Sequence, residues 1–207
     1  SVPLCDLAIE TLGAGVALVH LASPYEMPGG ARVVDHFAAR ARVVNVPGSR
    51  TLEETIAWLH GIGLGCERET EASKKVGNRA KADKGTAWTI ANGCAVQVLG
   101  MRAGETLSRR KLFAARGPVY RARGVVIACP MAAWSTADVW AYTVARNLPW
   151  HPLYDCEGLG FTRETLSNTG WLTTHGAASG RIAWLRRYYP DLYARLVAEW
   201  PHLRGIS

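Results

Sequence analysis

No two cysteines of this chain are spaced as Cys-x-x-Cys, and the five present (Cys5, Cys66, Cys94, Cys129, Cys156) are scattered and odd in number. That argues against the disulfide framework of a small secreted module and against clustered thiolates holding zinc or an iron–sulfur cluster. Buried or incidental thiols in a reducing compartment fit better. Also lacking is any uninterrupted apolar run near the ~20 residues that a bilayer-spanning helix needs. The basic-then-apolar start of a secretory signal is missing too. A cytoplasmic protein with no membrane partner is the expectation. Repeats, low-complexity tracts and an obvious linker are absent, and 207 residues suffice for one well-buried core. A single domain over 1–207 is therefore expected.

Negative charge is scarce in one part of the chain. Residues 1–70 carry 5 Lys and Arg against 8 Asp and Glu, whereas residues 71–207 carry 19 against 9. The net charge of +7 thus belongs to the C-terminal two-thirds. A field of that sign steers phosphates, whether of small nucleotides or of a nucleic-acid backbone. Arginine serving solubility alone would give the same composition.

Residues 2–12 have helical spacing closed by Gly13, and 14–22 form a short apolar run suited to a buried parallel strand. Residues 31–41 return to helical spacing, and 42–47 read as a second strand. Thr51 and Glu54 have capping-box spacing for a helix ending near Gly61. Residues 66–92 are polar and helical in propensity; 95–101 and 124–129 read as a third and a fourth strand. Ser135 and Asp138 cap a further helix, and residues 179–200 read as two helices divided at Pro190. Strands alternating with helices imply an α/β fold with a doubly wound, mainly parallel sheet flanked by helices, and residues 160–207 as a helical C-terminal extension.

Ligands of such sheets bind at the carboxyl ends of strands, which directs attention to residues 22–30, 100–110 and 129–138. In the second segment, Gly100 and Met101 precede Arg102, Glu105, Arg109 and Arg110. Glycine lets backbone N–H groups approach a phosphate, and guanidinium groups grip its oxygens in pairs. Glu105 could orient an arginine or assist a metal ion. A solvated basic loop would share this composition; its place after a strand favours a phosphate site. The third segment runs Cys129-Pro130, Trp134, Ser135, Asp138-Val139-Trp140, and leads to Pro149-Trp150-His151-Pro152-Leu153-Tyr154-Asp155.

In its order of strand, Pro, Trp, capped Asp-Val-Trp helix and Pro-Leu-Tyr-Asp, the chain resembles the phosphoadenosine-phosphosulfate (PAPS) reductase family of PP-loop proteins. The arginine loop is similar to that family's Gly-x-Arg-x-x-Glu-Ser signature, with Thr106 in place of serine. Tyr25, Glu26 and Pro28 match its Tyr-Glu-x-Pro adenine segment, while Ala22, Ser23 and Pro24 stand where an acidic turn is usual. The resemblance implies an adenine-nucleotide-alpha-hydrolase-like, Rossmann-like fold. It also implies a nucleotide site drawing on Ser1, His20, Ser23, Tyr25, Gly100, Met101, Arg102, Glu105, Arg109 and Arg110. Ser1 falls where the family's Ser-Gly-Gly-x-Asp-Ser loop ends, so a central strand and most of that loop are expected upstream of it.

The resemblance departs at sulfur. The reductases' Glu-Cys-Gly-Leu-His tail is absent, no cysteine follows Cys156, and the cluster-holding cysteine pairs are missing. A thiosulfonate intermediate needs a thiolate at the substrate's sulfur. What the resemblance then implies is an ATP pyrophosphatase that adenylates an oxygen for sulfur incorporation, with DNA phosphorothioation the favoured pathway. ATP (or PAPS) and magnesium would be its cofactors, without an iron–sulfur cluster. A cysteine desulfurase and a nucleic acid would be its partners, and a homodimer is compatible. Arg102 and Arg109 would assist the chemistry, and Cys66 and Cys129 are candidates for carrying sulfur, against the plainer reading of structural thiols. Two alternatives stay open: a PAPS or adenylylsulfate reductase using an external thiol, and a non-catalytic nucleotide-binding docking subunit.

Overall fold

In the computed structural model the described residues are 1–23, 26–48, 51–61, 84–159, 166 and 181–205. They fall into two compact units. The first comprises Ser1–Leu21, Ala31–Val46 and Ala82–Trp150. The second comprises Ala22–Gly30, Pro47–Lys81 and His151–Ser207.

The first unit opens with helix α1 (Val2–Leu12), followed by β1 (Ala17–Leu21), α2 (Ala31–Ala38) and β2 (Arg42–Val46). Strands β1 and β2 pair in parallel from Ala17↔Arg42 to Leu21↔Val46, as their apolar runs and the intervening helix require. Helix α4 (84–91) precedes β3 (Val96–Val98), α5 (Leu107–Arg116), β4 (Val119–Ala122), β5 (Val125–Ala128) and α6 (Thr136–Ala145). The order β3-β5-β4 forms a second sheet, with β3 parallel and β4 antiparallel to β5. Val125, Ile127 and Cys129 are its buried centre, against which Leu99, Met101, Phe113 and Tyr120 pack.

Strand β4 goes beyond what the sequence pattern marks, because Arg121 interrupts its apolar character. It exists through a two-residue hairpin: Arg123 and Gly124 have φ of 55° and 84°, the sign that primed turns demand at both central positions. The other differences are of length. The third strand keeps only Val96–Val98 of 95–101, and the helix of 31–41 ends at Ala38.

Helix α1 is tied to its neighbours by one buried carboxylate. Asp6, 1% exposed, lies 2.7 Å from Arg40 Nη1, accepts the Tyr142 hydroxyl at 2.8 Å and meets Arg146 Nε at 3.2 Å. A buried charge persists only when opposite charge and hydrogen bonds replace its hydration, and Tyr142 of α6 with the arginines just past the ends of α2 and α6 supplies both.

The second unit contains α3 (Leu52–Gly61), α7 (Arg181–Tyr188) and α8 (Pro190–Glu199). The capping box expected at Thr51 is formed: Glu54 N–H donates to Thr51 Oγ1 at 3.1 Å, and Thr51 N–H to Glu54 Oε2 at 2.8 Å. Pro190 opens α8 within its first turn, where its missing N–H costs nothing. The core gathers Met27, Ile56, Leu59, Leu153, Trp184 and Leu196 among others, and His60 stacks on Trp200 at 4.8 Å. Among the described residues no helix is long and apolar enough to cross a membrane.

Candidate functional site

Three helix N-termini and the arginine loop meet at the carboxyl ends of β3 and β5. Helix α5 is closed by Thr106, whose hydroxyl accepts Arg109 N–H at 3.2 Å. Helix α6 is closed by the Ser135–Asp138 box, with bonds of 2.7 and 3.1 Å. Helix α1 has Ser1 as its N-cap residue but no side-chain cap bond. Pro3 has no N–H, so Val2 and Leu4 supply the first-turn N–H groups that no cap side chain takes up, and the helix dipole favours an anion at that end. Gly100 is required beside it, since a Cβ there would lie 2.5 Å from Ser1 Cβ. Ser1 Oγ also approaches Met131 Sδ at 3.8 Å.

Arg102 bridges the loop to α6. Its Nη1 donates to Thr136 Oγ1 at 3.2 Å, while Ala103 N–H donates to the Ala132 carbonyl at 2.8 Å. Glu105 accepts Arg102 N–H at 3.1 Å, faces Arg102 Nε at 3.5 Å and pairs with Arg109 Nη1. One carboxylate thus serves two guanidinium groups and leaves a surplus positive charge. Burial, and next the charge of Arg102, push the Arg109 guanidinium below its ordinary value. A phosphate between the arginines would offset both penalties.

The structure therefore brings together Ser1, Gly100, Met101, Arg102, Glu105, Arg109 and Cys129. Arg110 lies on the exposed side of α5. Cys129 is fully buried; burial pushes its thiol up, with Arg109 opposing. His20, on β1, is bonded to Asn45 Oδ1 at 3.0 Å. Tyr25 and Cys66 lie outside the described residues. Magnesium finds no spare carboxylate in the cluster, because Glu105 is occupied by the two arginines. The ion would accompany the nucleotide's phosphates as part of the substrate. Among the described residues no group of three or more His, Cys, Asp or Glu is placed to hold a metal.

In the second unit, Ser23 and Glu26 belong to a loop with its own fastening. Ser23 N–H donates to Glu26 Oε1 at 3.1 Å, while Ser23 Oγ is buried without a hydrogen-bond partner among the described residues. The loop is held by His151, which is buried. Its Nδ1 accepts Leu153 N–H at 3.1 Å, so the proton sits on Nε2, 3.1 Å from the Met27 carbonyl. Gly29, at φ 102°, completes the seam, because a Cβ there would lie 2.9 Å from Pro152 Cγ. Sequence reasoning did not single out Thr136 and Met131 as contacts of Arg102 and Ser1, nor His151 as the fastening of the loop in the second unit. His151 stood within a quoted segment, but its partner Met27 is 124 positions away.

Burial pushes the His151 imidazole below its usual value, opposed by the Met27 carbonyl and the Glu26 carboxylate. A histidine held neutral in the fold favours folding above its unfolded value of about 6.5. That contribution diminishes as pH falls through 6.5 towards the lower folded value. Melting temperatures measured from pH 8 to 5 should decline over this window, and His151→Gln should remove that decline. An unaltered profile in the variant would exclude His151 as its source.

Residues 1–164 match the family model of the phosphoadenosine phosphosulfate reductase domain. Among solved structures, the chain is similar to a phosphate complex of phosphoadenylyl-sulfate (PAPS) reductase from Candida auris, at 19% identity with a TM-score of 0.52. That alignment covers 74% of this chain and 71% of the other, and the likeness is one of fold. No curated protein sequence matches the chain.

Proposed function

This chain belongs to the phosphoadenosine phosphosulfate reductase domain family, and within it we propose an ATP pyrophosphatase that adenylates an acceptor oxygen for sulfur incorporation, DNA phosphorothioation being the favoured pathway. The observation that carries this reading is the uncapped start of α1 beside two guanidinium groups sharing a single carboxylate. Such a site gathers N–H donors and surplus positive charge where a nucleotide's phosphates would carry the compensating negative charge.

In the proposed reaction an acceptor oxygen attacks the α-phosphorus of ATP. A new P–O bond forms, the α–β bridging P–O bond breaks, and pyrophosphate leaves with the electron pair. A persulfide sulfur then attacks the adenylated centre, the bond to the adenylated oxygen breaks and AMP departs with that oxygen; a second thiol then cleaves the S–S bond and leaves a disulfide. Arg102 and Arg109 would stabilise charge on the phosphoryl oxygens, and the first-turn N–H groups of α1 would orient the chain of phosphates. Transition-state charge is where fixed donors count most, since they need no reorganisation as the reaction proceeds. Cys129 and Cys66 are the thiols this reading would call on to carry sulfur. The buried, neutral-favouring surroundings of Cys129 oppose thiolate formation at rest.

Incubating the protein with MgATP should release AMP and pyrophosphate, with DNA or, in its absence, water supplying the attacking oxygen. Sulfite release from PAPS plus a dithiol, without turnover of ATP, would replace this reading by an externally reduced reductase. Saturable nucleotide binding with neither product would replace it by a docking subunit.

A further inference from the structure

From Thr106 to Ala137 the chain contains no Asp or Glu, yet it holds Arg109, Arg110, Lys111, Arg116, Arg121 and Arg123. The fold separates these cations by use. Arg109 turns in towards Glu105, whereas Lys111, Arg116, Arg121 and Arg123 are exposed. Strand β4 is the last strand of its sheet, so one of its edges has no strand beside it among the described residues. Tyr120 and Ala122 pack against the buried centre, and alternation along the strand sends Val119 and Arg121 to the other face. Arg123 lies beyond the end of the strand, in the hairpin turn that leads into β5. The Arg116 guanidinium lies 5.9 Å from the centre of the Tyr120 ring, which brings the end of α5 to the same strand, on the face opposite to Arg121. Among the described residues no carboxylate pairs with Lys111, Arg116 or Arg121.

We infer that the open β4 edge, with Arg116 and Arg121 on its two sides, Arg123 in the turn at its end and Lys111 on the neighbouring helix, binds the phosphate backbone of duplex DNA. Charged side chains on an edge strand also discourage strand-to-strand aggregation. One or two would suffice for that, and edge protection does not account for a 32-residue acid-free stretch that extends into α5. Backbone N–H groups of an open edge and arginine side chains are both regular donors to DNA phosphates. The choice of DNA over another polyanion rests on the adenylation reading above. The surface comprises none of the residues assigned there to the nucleotide.

The test is the binding of a fluorescein-labelled 20-base-pair duplex by fluorescence anisotropy at several salt concentrations. The wild type should bind with log K falling against log salt at a slope of roughly −3 to −4, as three or four phosphate contacts require. Arg116→Gln, Arg121→Gln and Arg123→Asn together should weaken binding at least tenfold and reduce the slope by about 2 to 3. Asparagine suits the positive φ at position 123, and single substitutions provide the comparison should the triple variant lose its fold. Pyrophosphate release without DNA should be unchanged in the same variants, so failure of the surface and failure of the adenylation reading are separable. Unchanged duplex affinity in the folded variants would overturn the inference. Wild-type binding to phosphatidylserine vesicles or polyglutamate but not to the duplex would do the same.

Discussion

Replacing Asp6 by alanine should cost the protein about 3 kcal/mol of stability, the low end of the range for breaking a buried ion pair. The size follows from where the charge lies. Asp6 is 1% exposed and is met by Arg40, Tyr142 and Arg146. Without it, Tyr142 loses its acceptor and the two arginines keep only the exposed Glu10 of α1, at 3.3 and 3.2 Å, as a partner on that helix. Arg40 and Arg146 reach solvent in part, with side chains 28% and 45% exposed, so they can be rehydrated; this keeps the cost from rising further. Chemical denaturation at pH 7 measures the difference, and a loss below 1 kcal/mol would show that solvent already screens the network.

The same carboxyl has a pH signature. Burial raises its proton affinity, but contacts from Arg40, Tyr142 and Arg146 outweigh burial and hold Asp6 below the ordinary carboxylate value. Its contribution is complete above about pH 4, the unfolded value, and is lost as pH falls through the lower folded value. The Asp6→Ala protein should lack that part of the acid transition. This window lies well below the one set by His151, so the two groups can be assigned separately.

Arg102→Ala should weaken MgATP binding by roughly 10- to 100-fold, the equivalent of losing a charge-assisted hydrogen bond worth about 1.5–3 kcal/mol. Its side chain is 14% exposed and is held by Glu105 and Thr136, so its guanidinium is oriented before any ligand arrives. Thr136→Val separates charge from orientation: it removes the acceptor of the Nη1 bond and keeps the cation. A smaller loss is expected there, about tenfold or less, and Arg102→Lys should fall between the two because lysine lacks the planar fork. Isothermal titration with ATP, alongside melting temperatures, reads both effects. Equal affinity and turnover in wild type and Arg102→Ala would remove this residue from the site.

Much of this architecture is legible in local sequence. The helix starts at Thr51–Glu54 and Ser135–Asp138 follow from bonds between residues three apart, and both capping boxes are present. Strands β1 and β2 are apolar runs that an alternating α/β pattern makes parallel. The arginine loop was legible because glycine and guanidinium groups after a strand have a direct physical use. Strand β4 was not, because Arg121 interrupts its apolar character and its pairing depends on the register with β5. His151 could be seen as a polar residue in a Pro-rich stretch, but not as the clasp of a loop whose carbonyl it bonds far away in the chain.

By itself the sequence determined the α/β class, most element positions and the excess of cations that suits a phosphate ligand. Each is set by caps, periodicity or composition within a few residues, where short-range sterics and hydrogen bonds act. Only the tertiary structure decided which charges are shared. It gave Glu105 to both Arg102 and Arg109, buried Asp6 among side chains from two other helical regions, left α1 uncapped and turned Arg121 outward on an open edge. Burial and partner choice arise when distant segments exclude water from the same place. The cost of desolvating a charge then depends on neighbours that no local window contains.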